Sequence, residues 1–418
     1  MRQPILGKRT FLKENTDHSK AFEKYMNECY ERVASSVPLF TGRHLMVNTK
    51  GNDFKSPQKL FKDKLNFKIA NSRDFISENL NETSFTDADA LIYDELGIAL
   101  IDGNEEQIRM LEAESSDFII QPERVVYVPD DLPVSINIPA TWGLNVTRVV
   151  DSNFTGRDVK IAVLDTGFDA NHPDFCDREV VAESFVPNET SKDMHGHGTH
   201  CIGTACGNKD SQGFRYGVAK SANIYAGKVL SNEGSGAQSW ILNGITWAVK
   251  NNCKVISMSL GSKIYPGEGY DLAYEKAAKF ALSNGAITVA AAGNDSRRSF
   301  KQYIPVSSPA NCPSVLAVGA LDSNLNVADF SNRSINPESQ IDIAAPGVSI
   351  YSSWIMPTRN RTISGTSMAT PHIAGILGLL CEKYPEGTIY EIKEELRNMA
   401  RRLPLPGIDV GVGLAIAP

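Results

Sequence analysis

Residues 159–165 read Val-Lys-Ile-Ala-Val-Leu-Asp, or VKIAVLD. A run this short and this apolar predicts a strand covered on both faces, because a half-solvated strand would alternate apolar with polar residues. Four later runs repeat the pattern: ANIYAGKVL at 222–230, KVISMSL at 254–260, AITVAAAGN at 286–294 and PSVLAVGAL at 313–321. Helical segments separate them. That alternation predicts a parallel sheet with helices on both sides, so residues 142–418 are expected to form one α/β domain. Strand ends of such sheets feed the ligand crevice, which places Asp165 either at a site or in an Asx turn capping the strand exit.

Upstream the pattern changes. LPVSINIPAT, residues 132–141, is polar and Pro-interrupted and reads as a linker. Within 41–131, HLMVN (44–48) reads as strand, SPQKLFKDKLNFKI (56–69) as helix, and ADALIYDELGIALID (88–102) as two strands meeting at Glu95–Leu96–Gly97. NEEQIRMLEAESS (104–116) is a helix with acids in its first turn, where the dipole favours them, and FIIQPERVVYVP (118–129) closes with strand. The order β-α-β-β-α-β is that of a small ferredoxin-like α+β domain, which taken alone reads as a regulatory or binding module. In the extension 1–40, Phe22, Tyr25, Met26, Cys29, Tyr30 and Val33 fall on one face of a helix over 16–35.

The 418 residues allow two to three domains at about 150 residues each. Residues 1–80 carry 15 basic and 9 acidic groups, 81–131 carry 2 and 14, and the remainder 25 and 26, for a net −7. A nucleic-acid binder needs a basic face. The largest block is nearly neutral, so nucleic acid is not the expected partner. No stretch approaches the ~18 apolar residues of a membrane span. MRQPILGKRTFLKEN holds no secretory apolar stretch, so a cytoplasmic chain is expected, or a secreted one if the numbering starts after a signal. The seven cysteines (29, 176, 201, 206, 253, 312, 381) form no CxxC pair and fit reduced thiols.

Three segments carry chemistry. The strand VKIAVL ends at Asp165–Thr166–Gly167. Asp193–Met194–His195–Gly196–His197–Gly198–Thr199–His200 places three of the seven histidines within six residues; it reads as a metal cluster or as an imidazole at a helix start beside a cleft. Ile363–Ser364–Gly365–Thr366–Ser367–Met368–Ala369–Thr370–Pro371–His372 runs into the apolar IAGILGLLCEKY. A serine in a first helical turn either caps it or lies beside unpaired N–H groups that suit an oxyanion. Pro371 is expected to be tolerated there because the first turn lacks N–H partners.

Asp, His and Ser in that chain order, with HGTH around the histidine and GTSMATPH around the serine, resemble the subtilisin-like serine proteases, the subtilases. The resemblance runs from about Trp142 to the closing GVGLAIAP, where catalytic domains of the family end. It implies a three-layer α/β domain with a parallel sheet, preceded by a small α+β propeptide domain. It also implies a serine endopeptidase made as a self-inhibited zymogen. His197 would be the base, Asp165 its orienting partner and Ser367 the nucleophile. Asn294 would supply the oxyanion-hole amide. Ser259, Leu260 and Gly261 would form one substrate-binding edge and Gly234, Ser235 and Gly236 the other, with residues 307–311 walling the first specificity pocket. His195, His200 and His372 would be neighbours and packing residues.

Further implications follow from the same likeness. Residues 41–131 would be a propeptide acting as chaperone and inhibitor, with Asp130 and Asp131 capping catalytic-domain helices and a cut between Pro133 and Pro139. No cofactor is needed for the chemistry. A structural calcium would use Asp174, Asn208 and Asp210, although Lys209 departs from the family loop. Cys201 resembles a free cysteine of proteinase K-like members, so mercurials are expected to inhibit. The expected partners are polypeptide substrates and the chain's own propeptide, the enzyme being monomeric. Rival readings are a dedicated processing peptidase for one precursor and a non-catalytic binding homologue.

Overall fold

The computed structural model describes residues 40–51, 54, 58–59, 61–62, 65–72, 88–114, 117–127 and 141–418. The extension helix expected at 16–35, Asp130 and Asp131, and residues 132–140 of the linker lie outside them. Of the helix expected over 56–69, residues 58–59 and 61–62 are helical, and Ile69 already opens a strand.

The N-terminal part contains β1 (Phe40–Asn48), β2 (Ile69–Asn71), β3 (Ala90–Tyr93), β4 (Ile98–Ile101), α1 (Glu105–Glu114) and β5 (Phe118–Tyr127). Its sheet order is β2-β3-β4-β1-β5, with β1 antiparallel to both β4 and β5. The runs ALIY and IALI are buried throughout because both faces are covered. Met46, Ile92, Ala99 and Ile101 pack towards Ile108 and Leu111 of α1. Their neighbours Leu45, Val47, Leu91, Tyr93, Ile98 and Leu100 belong to a core shared with residues 237–281. Period-two alternation therefore splits these strands between two cores.

Residues 141–418 supply α2 (Trp142–Val146), β6 (Lys160–Asp165), β7 (Val180–Ser184), α3 (His197–Cys206), β8 (Asn223–Lys228), β9 (Ser235–Ala237) and α4 (Gln238–Lys250). There follow β10 (Val255–Met258), α5 (Leu272–Ser283), β11 (Ile287–Ala291), β12 (Leu316–Leu321), β13 (Ile343–Pro346), β14 (Ile350–Ser353), β15 (Asn360–Ile363), α6 (Thr366–Lys383) and α7 (Ile389–Met399). Seven strands form one sheet in the order β13-β12-β11-β10-β6-β8-β7, every neighbouring pair parallel. Ala162 and Leu164 of β6 pack with α4 and α5, while Ile161 and Val163 pack with α3 and α6. This is the expected three-layer α/β domain, and its apolar strand runs reflect helices on both faces. No described helix is long and apolar enough to cross a membrane.

The short β9 leaves this sheet and joins the N-terminal one, antiparallel to β5. The two parts are thus joined by a ladder as well as by the shared core.

Candidate active site

Asp165 is the last residue of β6 and His197 the first of α3. His197 Nδ1 lies 2.7 Å from Asp165 Oδ1, with both side chains at most 1% exposed. Asp165 Oδ1 also accepts the Thr166 N–H at 2.8 Å. A carboxylate at Nδ1 fixes the tautomer and leaves Nε2 as the basic nitrogen. Asp193 organises the approach to this helix. Its Oδ1 accepts the N–H groups of His195 (3.0 Å) and Gly196 (2.8 Å) and the hydroxyl of Thr166 (2.9 Å). Its Oδ2 accepts Thr199 N–H at 2.8 Å and Thr199 Oγ1 at 2.7 Å. Gly196 is held at φ 104°, and a Cβ there would stand 2.3 Å from the Trp354 ring. Only glycine meets both conditions.

Ser367 is the second residue of α6 and fully buried. Pro371 stands six residues into that helix, past the first turn, so the expected reason for its tolerance does not hold. The proline deprives the Ser367 carbonyl of its helical donor. That carbonyl accepts Ser259 Oγ at 2.7 Å instead, with Cys201 Sγ 3.6 Å away. The Cys201 sulfur also lies 3.8 Å from His197 Nδ1, so nucleophile and base candidates flank one sulfur on neighbouring helices. Asn294 follows β11. Its Oδ1 accepts Thr366 N–H at 2.9 Å and Thr366 Oγ1 at 2.8 Å, which turns its NH2 end to the opposite side. Gly293, at φ 105°, could carry no side chain, since a Cβ would meet Ser307 Oγ at 2.2 Å.

The two edges read as substrate-binding face the same strand. Val125, Val126 and Tyr127 of β5 pair with Ala237, Gly236 and Ser235. On the other side Tyr127 exchanges both backbone hydrogen bonds with Gly261, each at 3.1 Å. Gly261 is pressed against the 307–311 wall, where a Cβ would come within 2.7 Å of the Ser308 carbonyl. Gly234 lies against His195, whose ring would meet a Cβ at 2.9 Å.

His200 and His372 have backbone partners. His200 Nε2 lies 3.1 and 3.2 Å from the carbonyls of Ile350 and Arg361, and burial pushes its pKa down to about 3. His372 Nδ1 lies 2.8 Å from the Met368 carbonyl, and burial lowers it to about 4. Burial also lowers His195. The Cys201 thiol is pushed up to about 11 by burial, and the six described cysteines are all free.

The calcium expectation meets a different arrangement. Asp174 and Asp210 are brought into one neighbourhood, but their carboxylate oxygens are taken. Asp174 Oδ1 pairs with Arg359 Nη2 at 2.7 Å, and its Oδ2 accepts Tyr216 OH at 3.0 Å. Asp210 Oδ2 accepts Tyr351 OH at 2.7 Å, and its Oδ1 accepts Gln212 N–H (2.8 Å) and Phe214 N–H (3.0 Å). Asn208 is exposed. This donor set does not fit a calcium cradle.

Sequence reasoning missed three charged residues. Asp193 lies within the histidine motif, and only the fold shows it accepting from Thr199 six residues on. Lys228 interrupts an apolar run; its buried Nζ donates to the Thr166 carbonyl at 2.7 Å and to Asn232 Oδ1 at 3.1 Å, and lies 3.2 Å from Glu189. Glu123, in β5, gave no local signal at all.

A model of the subtilase family matches residues 156–414. Subtilisin E of Bacillus subtilis strain 168 is 43% identical over 252 residues, 60% of this chain and 62% of that protein. The match thus spans less than two thirds of the length of that relative. Subtilisin DY of Bacillus licheniformis is 38% identical over 262 residues, 62% of this chain and 90% of that protein. M-protease of Shouchella clausii strain KSM-K16 is 36% identical over 343 residues, 80% of this chain and 85% of that protein, so the likeness reaches into the N-terminal part. A sheet order, a buried Asp–His pair and a serine-bearing helix reached from the residues upward agree with these likenesses: the chain belongs to the subtilase family.

Proposed function

We propose that the protein is a serine endopeptidase that hydrolyses peptide bonds through an acyl-enzyme on Ser367 and is made as a self-inhibited zymogen. One observation carries the chemistry: the buried 2.7 Å contact between His197 Nδ1 and Asp165. His197 Nε2 takes the Ser367 hydroxyl proton as the oxygen attacks the carbonyl carbon, and later gives it to the leaving amine. Asp165 stays ionised and stabilises the imidazolium. The Asn294 amide and the Ser367 N–H receive the oxyanion. A substrate strand lies between Ser259–Gly261 and Gly234–Gly236, which supply the two edges of a three-stranded ladder.

The zymogen reading is supported by β5, whose Tyr127 already occupies the space between Ser235 and Gly261. An extended segment held there excludes another. The cut expected between Pro133 and Pro139 falls outside the described residues. Intact mass of the wild type beside Ser367→Ala tests activity, nucleophile and self-processing together. Loss of the N-terminal part in the wild type, with a whole variant, is expected; identical trimming of isolated Ser367→Ala would overturn self-cleavage. Failure of trimmed wild type to react with a fluorophosphonate would overturn the peptidase reading.

A further inference from the structure

The family resemblance implies a divalent cation at Asp174 and the loop after α3. We infer that in this chain the guanidinium of Arg359 is the cation of that site and calcium has no place there. Calcium takes six to eight oxygen ligands at about 2.3–2.6 Å. Here the four carboxylate oxygens of Asp174 and Asp210 each hold a donor: Arg359 Nη2, Tyr216 OH, Tyr351 OH, and the N–H groups of Gln212 and Phe214. A metal ion would have to break these bonds and lie beside a fixed positive charge.

Arg359 is held from both ends. Its backbone carbonyl lies 2.6 Å from His172 Nε2, while His172 Nδ1 accepts the Asp174 N–H at 3.2 Å. The Nδ1 acceptor makes Nε2 the donor, so His172 locks the arginine backbone to the segment that its side chain pairs with. The Asp174 side chain is 2% exposed and that of Arg359 32%, so the ion pair is half screened on one side only. Tyr216 and Tyr351 pack edge to face, 6.1 Å between centroids. Burial and the adjacent carboxylates push both phenols upward, so they remain donors and keep the carboxylates as acceptors. The Asp174 contact raises Arg359.

The cluster ties three places together: the 172–174 turn after β6, the 207–217 loop that leaves α3, and the 354–359 link between β14 and β15. Because α3 begins with His197, the brace secures the far end of the helix that carries the proposed base. An arginine supplies this cross-link permanently, whereas a bound metal would make it depend on free calcium.

The test uses the full-length Ser367→Ala chain, so that processing does not intrude, and reads melting temperature in EGTA and in millimolar calcium chloride. Arg359→Ala is expected to lower the EGTA value by roughly 3–6 °C. Arg359→Lys, which keeps the charge on a similar stem, is expected to recover part of that loss. Calcium is expected to give the parent no rise that Asp174→Asn removes. A calcium-dependent rise that persists in Asp174→Asn places the ion elsewhere and supports the inference. A rise in the parent that Asp174→Asn abolishes would overturn it, as would an Arg359→Ala chain as stable as the parent in EGTA.

Discussion

Glu123, on a strand of the N-terminal part, accepts the backbone N–H of Ser239 at 2.8 Å in the first turn of α4. Its other oxygen receives Arg43 Nε at 2.8 Å and Thr41 Oγ1 at 2.6 Å, and Glu123 itself is fully buried. Two residues earlier on β5, Gln121 donates to Asp271, the N-cap of α5, at 2.8 Å. Positions i and i+2 share one face of a strand, so β5 addresses the starts of two adjacent helices at once. Removing the buried Glu123 carboxylate leaves the Ser239 N–H and the partly buried Arg43 without that partner. Glu123→Ala in the Ser367→Ala chain is expected to cost about 3–5 kcal/mol, with Glu123→Gln between it and the parent. Urea denaturation followed by tryptophan fluorescence measures this, and an unchanged midpoint would refute it.

Asn294→Ala removes the proposed oxyanion donor without touching the Asp165–His197 pair. We expect kcat to fall about 10²–10³-fold with KM little changed. Steady-state kinetics on a peptide anilide decides it. A KM effect with kcat intact would place Asn294 in ground-state binding instead.

The depressed histidines fix a pH dependence of stability. His372 and His200 are neutral in the fold down to about 4 and about 3, whereas in the unfolded chain they titrate near 6.5. Below that value the unfolded state binds more protons, so stability is full above about pH 6.5 and declines towards pH 3, by up to ~1.4 kcal/mol per unit for each group. Denaturation midpoints between pH 7 and 5 should therefore fall, and the slope should flatten in His372→Gln. With His197 as the proposed base, kcat/KM at neutral pH should not change in that variant.

Thiol chemistry should separate the cysteines. Cys176 is exposed, while Cys201 is buried with its pKa pushed up to about 11. Reaction with a neutral disulfide reagent at pH 8 is expected to label Cys176 quickly and Cys201 only on unfolding. A mercurial small enough to reach Cys201 must crowd His197, 3.8 Å away, so inactivation should track labelling of that residue by peptide mapping. Full activity of a chain mapped as modified at Cys201 would end this expectation.

The legible parts of this chain are those whose signal is local. Strands such as VKIAVLD are read directly because helices cover both faces, and HGTH and GTSMATPH are contiguous motifs. The unread parts join residues far apart. Glu123 and Ser239 are 116 positions apart, Asp174 and Arg359 185. An isolated acid in PERVVY reads as solvated until the partner surface is known. Asp130 and Asp131, expected to cap helices of the C-terminal part, lie outside the described residues; within these, Glu123 meets α4 and Asp271 caps α5. The resemblance implies calcium at Asp174, and a likeness of short local segments says nothing of an arginine in a later hairpin.

The proline in α6 has one more meaning. A helix normally keeps its own backbone bonds, and its residues move with it as a rod. Here the rung at Ser367 has been handed to Ser259, which stands on the edge proposed to pair with substrate. That edge and the seat of the proposed nucleophile are consequently two ends of one short lever. On the proposed reading, a peptide that straightens the edge would steady the serine and one that fits it badly would not, so discrimination among sequences would register in turnover as well as in occupancy.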